Sequence, residues 1–261
     1  MRRALVVANW KMHGRVAALD DYVAGLQWPE EVAGGVEVVV CPPVPYLSAL
    51  RAKLANSGIA LGAQDCAAHV KDGAFTGEVS AAMLADVGCR WVIVGHSERR
   101  QAQGETDTVV AAKFLAAQAA ELSPILCVGE TTAEREEGRA YSTVLAQLES
   151  VLERIGLENL GRAALAYEPV WAIGSGKPAR PADAEAMHRI LRAAVAKRSR
   201  MAAQSLRILY GGSVKAENAE EFFAEPDIDG ALIGGASLDA GLFSKIVVAT
   251  QHMSGDQLSP E

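Results

Sequence analysis

The 261-residue chain has no surplus of positive charge: 25 Lys and Arg stand against 32 Asp and Glu, for a formal net charge of −7 and a pI near 5.4. A global basic field for holding a nucleic-acid backbone is absent, so no nucleic-acid partner is expected. An anionic small substrate would have to be met by a local positive site working against the net charge. Cysteine is scarce as well. Cys41, Cys66, Cys89 and Cys127 are far apart, form no C-x-x-C, and lie in or beside apolar runs. They read as buried reduced thiols. No apolar run approaches the ~20 residues of a membrane span. The start of the chain, MRRALVVANWK, has an apolar core of only Ala4 to Ala8 before Lys11, shorter than the ~7–15 residues of a signal-peptide core. A soluble, cytoplasmic protein with no membrane partner is expected. A G-x-G-x-x-G turn after the first strand is also missing; ANWKMHG stands there instead, which argues against a dinucleotide fold.

What the chain has is apolar residues, half of the total, arranged in short recurring runs. The strand-like runs are 4–8, 36–41, 59–63, 90–94, 124–128, 163–167, 207–210 and 230–234. They do not alternate apolar with polar, which is how strands covered on both faces of a parallel sheet read. Amphipathic segments at 15–27, 45–57, 105–121, 138–155, 181–199, 215–224 and 237–250 lie between them. The third connection differs, with a long loop and only a short helix around 78–86; Ser123-Pro124 is read as ending the helix before it. Eight strand–helix alternations in about 250 residues, without a linker, predict an α/β fold. The expected form is a (β/α)8 TIM barrel, eight parallel strands ringed by helices. Residues 1–252 are read as one catalytic barrel domain and 253–261 as a polar C-terminal tail.

Function in such a barrel belongs at the C-terminal ends of the strands. The first strand ends in Asn9-Trp10-Lys11, the fourth in Gly95-His96-Ser97-Glu98-Arg99, the fifth in Gly129-Glu130 and the sixth in Glu168. The seventh ends in Gly211-Gly212-Ser213 and the eighth in Gly234-Gly235. Taken singly, Lys11 reads as a surface lysine, His96 as a satisfied strand-end residue, Glu168 as half of a salt bridge and the glycine pairs as tight turns. Taken together at matching ends of different strands, they mark a site. Glycine turns after strands seven and eight can hold a phosphate on backbone N–H groups with no side-chain cation, and Ser213 and Ser237 can cap helices or donate to an oxygen. GSGK at 174–177 is not a nucleotide-phosphate loop, because Pro178 follows the lysine and Trp171 stands where the motif needs glycine.

ANWKMHG, GAFTGEVS, VIVGHSERR, LCVGE, AYEPVWAIGSGK, LYGGSV and ALIGGASL follow one another in the order and spacing of a known set of signatures. From about Ala4 to Thr250 the chain resembles the triosephosphate isomerase family. The resemblance implies interconversion of dihydroxyacetone phosphate and D-glyceraldehyde 3-phosphate through an enediolate, without metal or organic cofactor. It implies a place in glycolysis, gluconeogenesis and triose phosphate metabolism. Glu168 would be the base that moves a proton between adjacent carbons. His96 would polarise the carbonyl and move protons between the two oxygens, and Lys11 would stabilise the negative charge. Asn9 would orient the substrate; Gly174, Ser213, Gly234 and Gly235 would hold the phosphate; Glu98 would support Lys11.

Chemistry agrees with this allocation. A proton α to a carbonyl is weakly acidic, so the oxyanion needs preorganised donors, and a carboxylate in a dry pocket gains basicity. SERR reads as a helix start capped by Ser97, and the helix N-terminus with Lys11 disfavours a charged His96. Residues 169–179 resemble the family's closing lid, with Pro169-Val170-Trp171 as a stiff hinge. In the family the GAFTGEVS loop enters a second subunit, so a homodimer is implied, with Thr76 supporting Asn9 and Lys11 of the partner subunit. Pro178 in the far hinge, Ser175 for Thr, His13 for Asn and Asp65 for Asn depart from the family pattern; altered lid kinetics are expected from Pro178. Two other readings are a Schiff-base aldolase using Lys11, which lacks a lysine where Glu168 stands, and a non-catalytic phosphate-binding barrel, which the full set Asn9, Lys11, His96 and Glu168 argues against.

Overall fold

The computed structural model describes residues 2–173 and 179–254. Eight parallel strands close into a barrel in sequence order: β1 (Ala4–Asn9), β2 (Val36–Cys41), β3 (Ala60–Ala63), β4 (Trp91–Val94), β5 (Ser123–Val128), β6 (Ala164–Tyr167), β7 (Arg207–Tyr210) and β8 (Gly230–Ile233). Closure is made by β1 against β8, with Leu5 opposite Gly230 and Ala8 opposite Ile233. The α/β barrel expected from the apolar runs is therefore present, ringed by helices.

The missing alternation has a direct cause. Leu5, Val7, Val39, Ile93, Ile125 and Leu209 point inward and fill the barrel, while their neighbours Val6, Val38, Val92, Leu126 and Ile208 meet the helices outside. Both faces of each strand are dry. At the barrel floor a polar group replaces the apolar filling: Glu37 accepts hydrogen bonds from Trp91 Nε1 (2.9 Å) and Arg207 Nη1 (2.6 Å).

Short side chains fix where the helices begin. Ser80 caps Ala81–Asp86, Thr106 caps Asp107–Ala119, and Thr131 with Glu134 forms a capping box on Thr132–Glu136. Pro181 opens Pro181–Arg198 at the first turn, where its missing N–H costs nothing. Two local readings need correction. Pro124 lies inside β5 opposite Val92; the preceding helix has already ended at Ala119, before Glu121 takes a left-handed φ of 62°. Ser237 caps no helix. Its hydroxyl donates to Gly234 O within the β8 turn (2.7 Å), and Asp239 caps Ala240–Ala249.

All four cysteines are free and buried. Among the described residues no helix is long and apolar enough to cross a membrane.

Candidate active site

The strand ends open into a cavity of about 990 Å3. Asn9, Lys11, His96, Glu168, Ser213, Gly234 and Gly235 all border it. Seven candidates from the ends of five strands are thus brought to one mouth. Gly174 lies outside the described residues, as do Ser175 and Pro178. Thr76 is exposed on its loop and does not border the cavity.

The β1 end sets Lys11. Asn9 closes the strand, and its Oδ1 accepts from Lys11 N (3.0 Å). This turn holds Lys11 at φ 51°, a conformation that is costly for a residue with a Cβ. Gln64 Nε2 secures it by donating to both Lys11 O and Cys41 O, each at 2.9 Å. The Lys11 ammonium lies 2.6 Å from Glu98 Oε1. Gln64 was not among the residues singled out above. It follows β3 directly, so the strand-end rule carried to the third strand would have found it.

The β4 end sets His96. His96, not Ser97, is the N-cap of the helix Ser97–Ala102, because its Nδ1 accepts from Glu98 N (3.2 Å). A ring nitrogen that accepts carries no proton, so the proton of the neutral ring sits on Nε2. Nε2 is 3.0 Å from Glu168 Oε1. Ser97 is freed from capping and gives both donors to the same carboxylate: its N–H reaches Oε2 (2.9 Å) and its hydroxyl reaches Oε1 (3.1 Å).

Glu168 is 2% exposed. Burial alone would raise its pKa, as expected above, but the His96 ring and the two Ser97 donors outweigh burial and hold it below the usual carboxylate range. The expected gain in basicity is therefore absent in this geometry, where the carboxylate is satisfied three times over. The same contact acts on His96. Burial disfavours its charged form, and the facing carboxylates of Glu168 and Glu98 outweigh burial, so its pKa is raised while Glu168 rests against it. Two glycines make room for Glu168. A Cβ on Gly129 would lie 1.9 Å from Glu168 O, and one on Gly211 would lie 2.9 Å from Glu168 Cγ.

Glu130, the carboxylate at the end of the fifth strand, does not border the cavity. It is fully buried, and it accepts from Tyr167 Oη (3.0 Å) and Trp171 Nε1 (2.8 Å) and pairs with Arg135 (3.2 Å). Arg135 also lies 4.1 Å above the Trp171 ring. Glu130 thus anchors the segment that leaves β6. Asp65 is held by Lys113 at 2.7 Å from each oxygen and by Arg99 at 2.9 Å, and Lys113 also reaches Glu105 (2.6 Å). Burial, the largest influence, raises the pKa of Asp65 even so.

Fold and site together define a class: barrel enzymes whose mouth is equipped for acid–base chemistry on a small anion. Comparison with known proteins narrows it. The family model for triosephosphate isomerase matches residues 4–250. A triosephosphate isomerase of Thiobacillus denitrificans is 54% identical over 246 residues, covering 94% of this chain and 98% of its own. Those of Alcanivorax borkumensis and Dechloromonas aromatica are 52% and 53% identical, over 96% and 94% of this chain and 99% and 98% of theirs. The chain belongs to the triosephosphate isomerase family.

Proposed function

We propose that the cavity interconverts dihydroxyacetone phosphate and D-glyceraldehyde 3-phosphate by proton transfer, as an intramolecular aldose–ketose isomerase. The observation that carries this is the carboxylate–imidazole contact of 3.0 Å beside an ammonium and two glycine turns, all bordering one cavity.

The phosphate enters at the Ser213 and Gly234–Gly235 turns, where backbone N–H groups at close range suit an anion. Asn9 orients the substrate oxygens. Glu168 leaves Ser97, takes the proton from the carbon beside the carbonyl, and later returns it to the neighbouring carbon. The His96 Nε2–H polarises the carbonyl oxygen and passes protons between the two oxygens of the enediolate. This is a neutral-imidazole role that the enzyme family itself exemplifies. Once Glu168 has moved off, the larger of the two influences that raise the His96 pKa moves with it; Glu98 remains, opposed by burial, the helix N-terminus and Lys11, which disfavour the charged ring. Lys11 stabilises the developing oxyanion. No proton is gained or lost overall, and the allocation calls on no metal or organic cofactor.

The mechanism needs two states of Glu168, of which the resting geometry is one. Its three hydrogen bonds keep the carboxylate ionised; substrate must draw it away from them. Closure of residues 169–179, with Gly174 meeting the phosphate, would exclude water at that moment. Glu130 and Arg135, through Trp171, hold the near end of that segment.

The active form is proposed as a cytoplasmic homodimer, residues 1–252 forming each catalytic domain and 253–261 a tail. Support comes from exposed Met12, Val44, Phe75 and Met83, and from a hollow of about 580 Å3 beside Asn9, Lys11 and Gln64. Thr76 would there support Asn9 and Lys11 of the partner subunit. A coupled assay on glyceraldehyde 3-phosphate tests the reaction. Glu168→Asp withdraws the base by one methylene and should lower kcat by about 100-fold, the scale of a 1 Å misplacement. Absence of turnover in the wild type refutes the assignment.

A further inference from the structure

The charged side chains around the cavity are unequally engaged. Lys11 is held by Glu98, and Glu168 by His96 and Ser97. Two more charges border the same cavity beyond Ser213, Lys215 and Glu217. Both are exposed, and among the described residues neither is paired with an opposite charge.

Their backbone is firmly held. Asn218 Oδ1 accepts from Lys215 N (2.8 Å), and Asn218 Nδ2 donates to Ser213 O (3.3 Å). Lys215 O accepts from Asn218 N (3.2 Å) and Ala219 N (3.0 Å), and Gly212 O accepts from Val214 N (3.0 Å). One asparagine side chain therefore binds Ser213, which borders the phosphate end, and Lys215 into a single turn.

We propose that Lys215 captures the phosphate dianion of the substrate at the rim of the cavity, and that Glu217 opposes it, limiting how long the anion is held. The assignment rests on the triose phosphate reading above. A chain of net charge −7 repels a dianion at long range. Lys11 offers little to counter this at long range, because its ammonium is paired with Glu98 at 2.6 Å and acts chiefly on groups within the site. Among the described residues Lys215 is the unpaired cation at the rim, and an exposed charge acts chiefly on approach and is screened by salt, whose Debye length is about 10 Å at 0.1 M. Removing it leaves Glu217 facing the incoming phosphate.

The test measures kcat/KM for glyceraldehyde 3-phosphate, and the inhibition constant of inorganic phosphate, at about 10 mM and about 0.5 M ionic strength. Wild type is compared with Lys215→Gln, Lys215→Arg and Glu217→Gln. At low salt Lys215→Gln should lower kcat/KM about three- to ten-fold and weaken phosphate inhibition, with the deficit shrinking below about two-fold at high salt. Lys215→Arg should restore the wild-type salt dependence, and Glu217→Gln should shift both quantities the opposite way. A Lys215→Gln enzyme equal to wild type at low salt overturns the proposal, as does a deficit of the same size at both salts. Wild type that binds phosphate in a Lys215-dependent way but turns over no triose phosphate would refute the isomerase reading and leave the charge assignment standing.

Discussion

His188 should make the protein lose stability in mild acid. It lies fully buried on the helix Pro181–Arg198. Its Nδ1 is 3.1 Å from Asp227 O and so carries the ring proton, while Nε2 is buried with no hydrogen-bond partner. The ring meets Tyr167 edge-on at 5.9 Å. Burial, the largest influence, pushes the pKa down to about 4, with Arg192 adding in the same direction against the Asp227 carbonyl and carboxylate. An unfolded histidine titrates near 6.5. Because the folded value is depressed, the stabilising contribution is complete above about pH 6.5 and is lost as the pH falls toward 4. Linkage puts the loss at pH 4.5 at about 2.5 kcal/mol relative to pH 8. Glu185, one turn earlier, opposes this. Its pKa is raised to about 7, first by burial and then by Asp227 and Glu225. A raised carboxylate gains stability as the pH falls from 7 toward its unfolded range, by an amount that screening reduces because the group is partly exposed. The difference between wild type and His188→Gln removes the Glu185 contribution. Urea unfolding at pH 8, 6 and 4.5, at fixed protein concentration, should show wild type losing about 2.5 kcal/mol more than the variant over that range. Parallel pH profiles would refute the reasoning.

Ser97→Ala removes one donor from the resting Glu168 (3.1 Å); the acid limb of the kcat/KM profile should move to higher pH, measured from about pH 5 to 9, and an unmoved limb would show that Glu168 does not govern it. The two glycines beside Glu168 should separate function from folding. In Gly211→Ala the new Cβ meets a movable side-chain carbon at 2.9 Å, so kcat should fall about ten-fold or more with the fold retained; in Gly129→Ala it meets backbone at 1.9 Å, so soluble, folded protein should be largely lost, as circular dichroism would show. The thiols should be inert while folded. Burial pushes Cys66 and Cys89 up to about 12 and Cys41 and Cys127 well above their usual value, so a thiol reagent at pH 8 should label them only after denaturant is added; fast native labelling would contradict that burial.

Much of the barrel is legible along the chain because a strand dry on both faces must be apolar at consecutive positions, and β1, β2 and β7 begin where their apolar runs begin. The strand-end rule then picks out Asn9, Lys11, His96, Glu168 and the glycine turns, which border one cavity. It passes over Gln64, whose role depends on two carbonyls from other strand ends, and it treats Glu130 like Glu168 although the two point to different places. Strand-end position is a one-dimensional property; the direction of a side chain is not.

The sequence by itself determined the element order, the closed parallel architecture and the chemical types gathered at the mouth, because periodicity and residue type are local. Only the tertiary structure decided what state those groups are in. Glu168 was expected to gain basicity from a dry pocket, yet donors from Ser97 and His96, more than 70 residues away in the chain, hold it ionised. Ser97 can donate to it because His96 caps the helix in its place. Burial and hydrogen bonding act oppositely on a carboxylate, and which of them wins depends on distances of a few ångströms that only the folded chain sets.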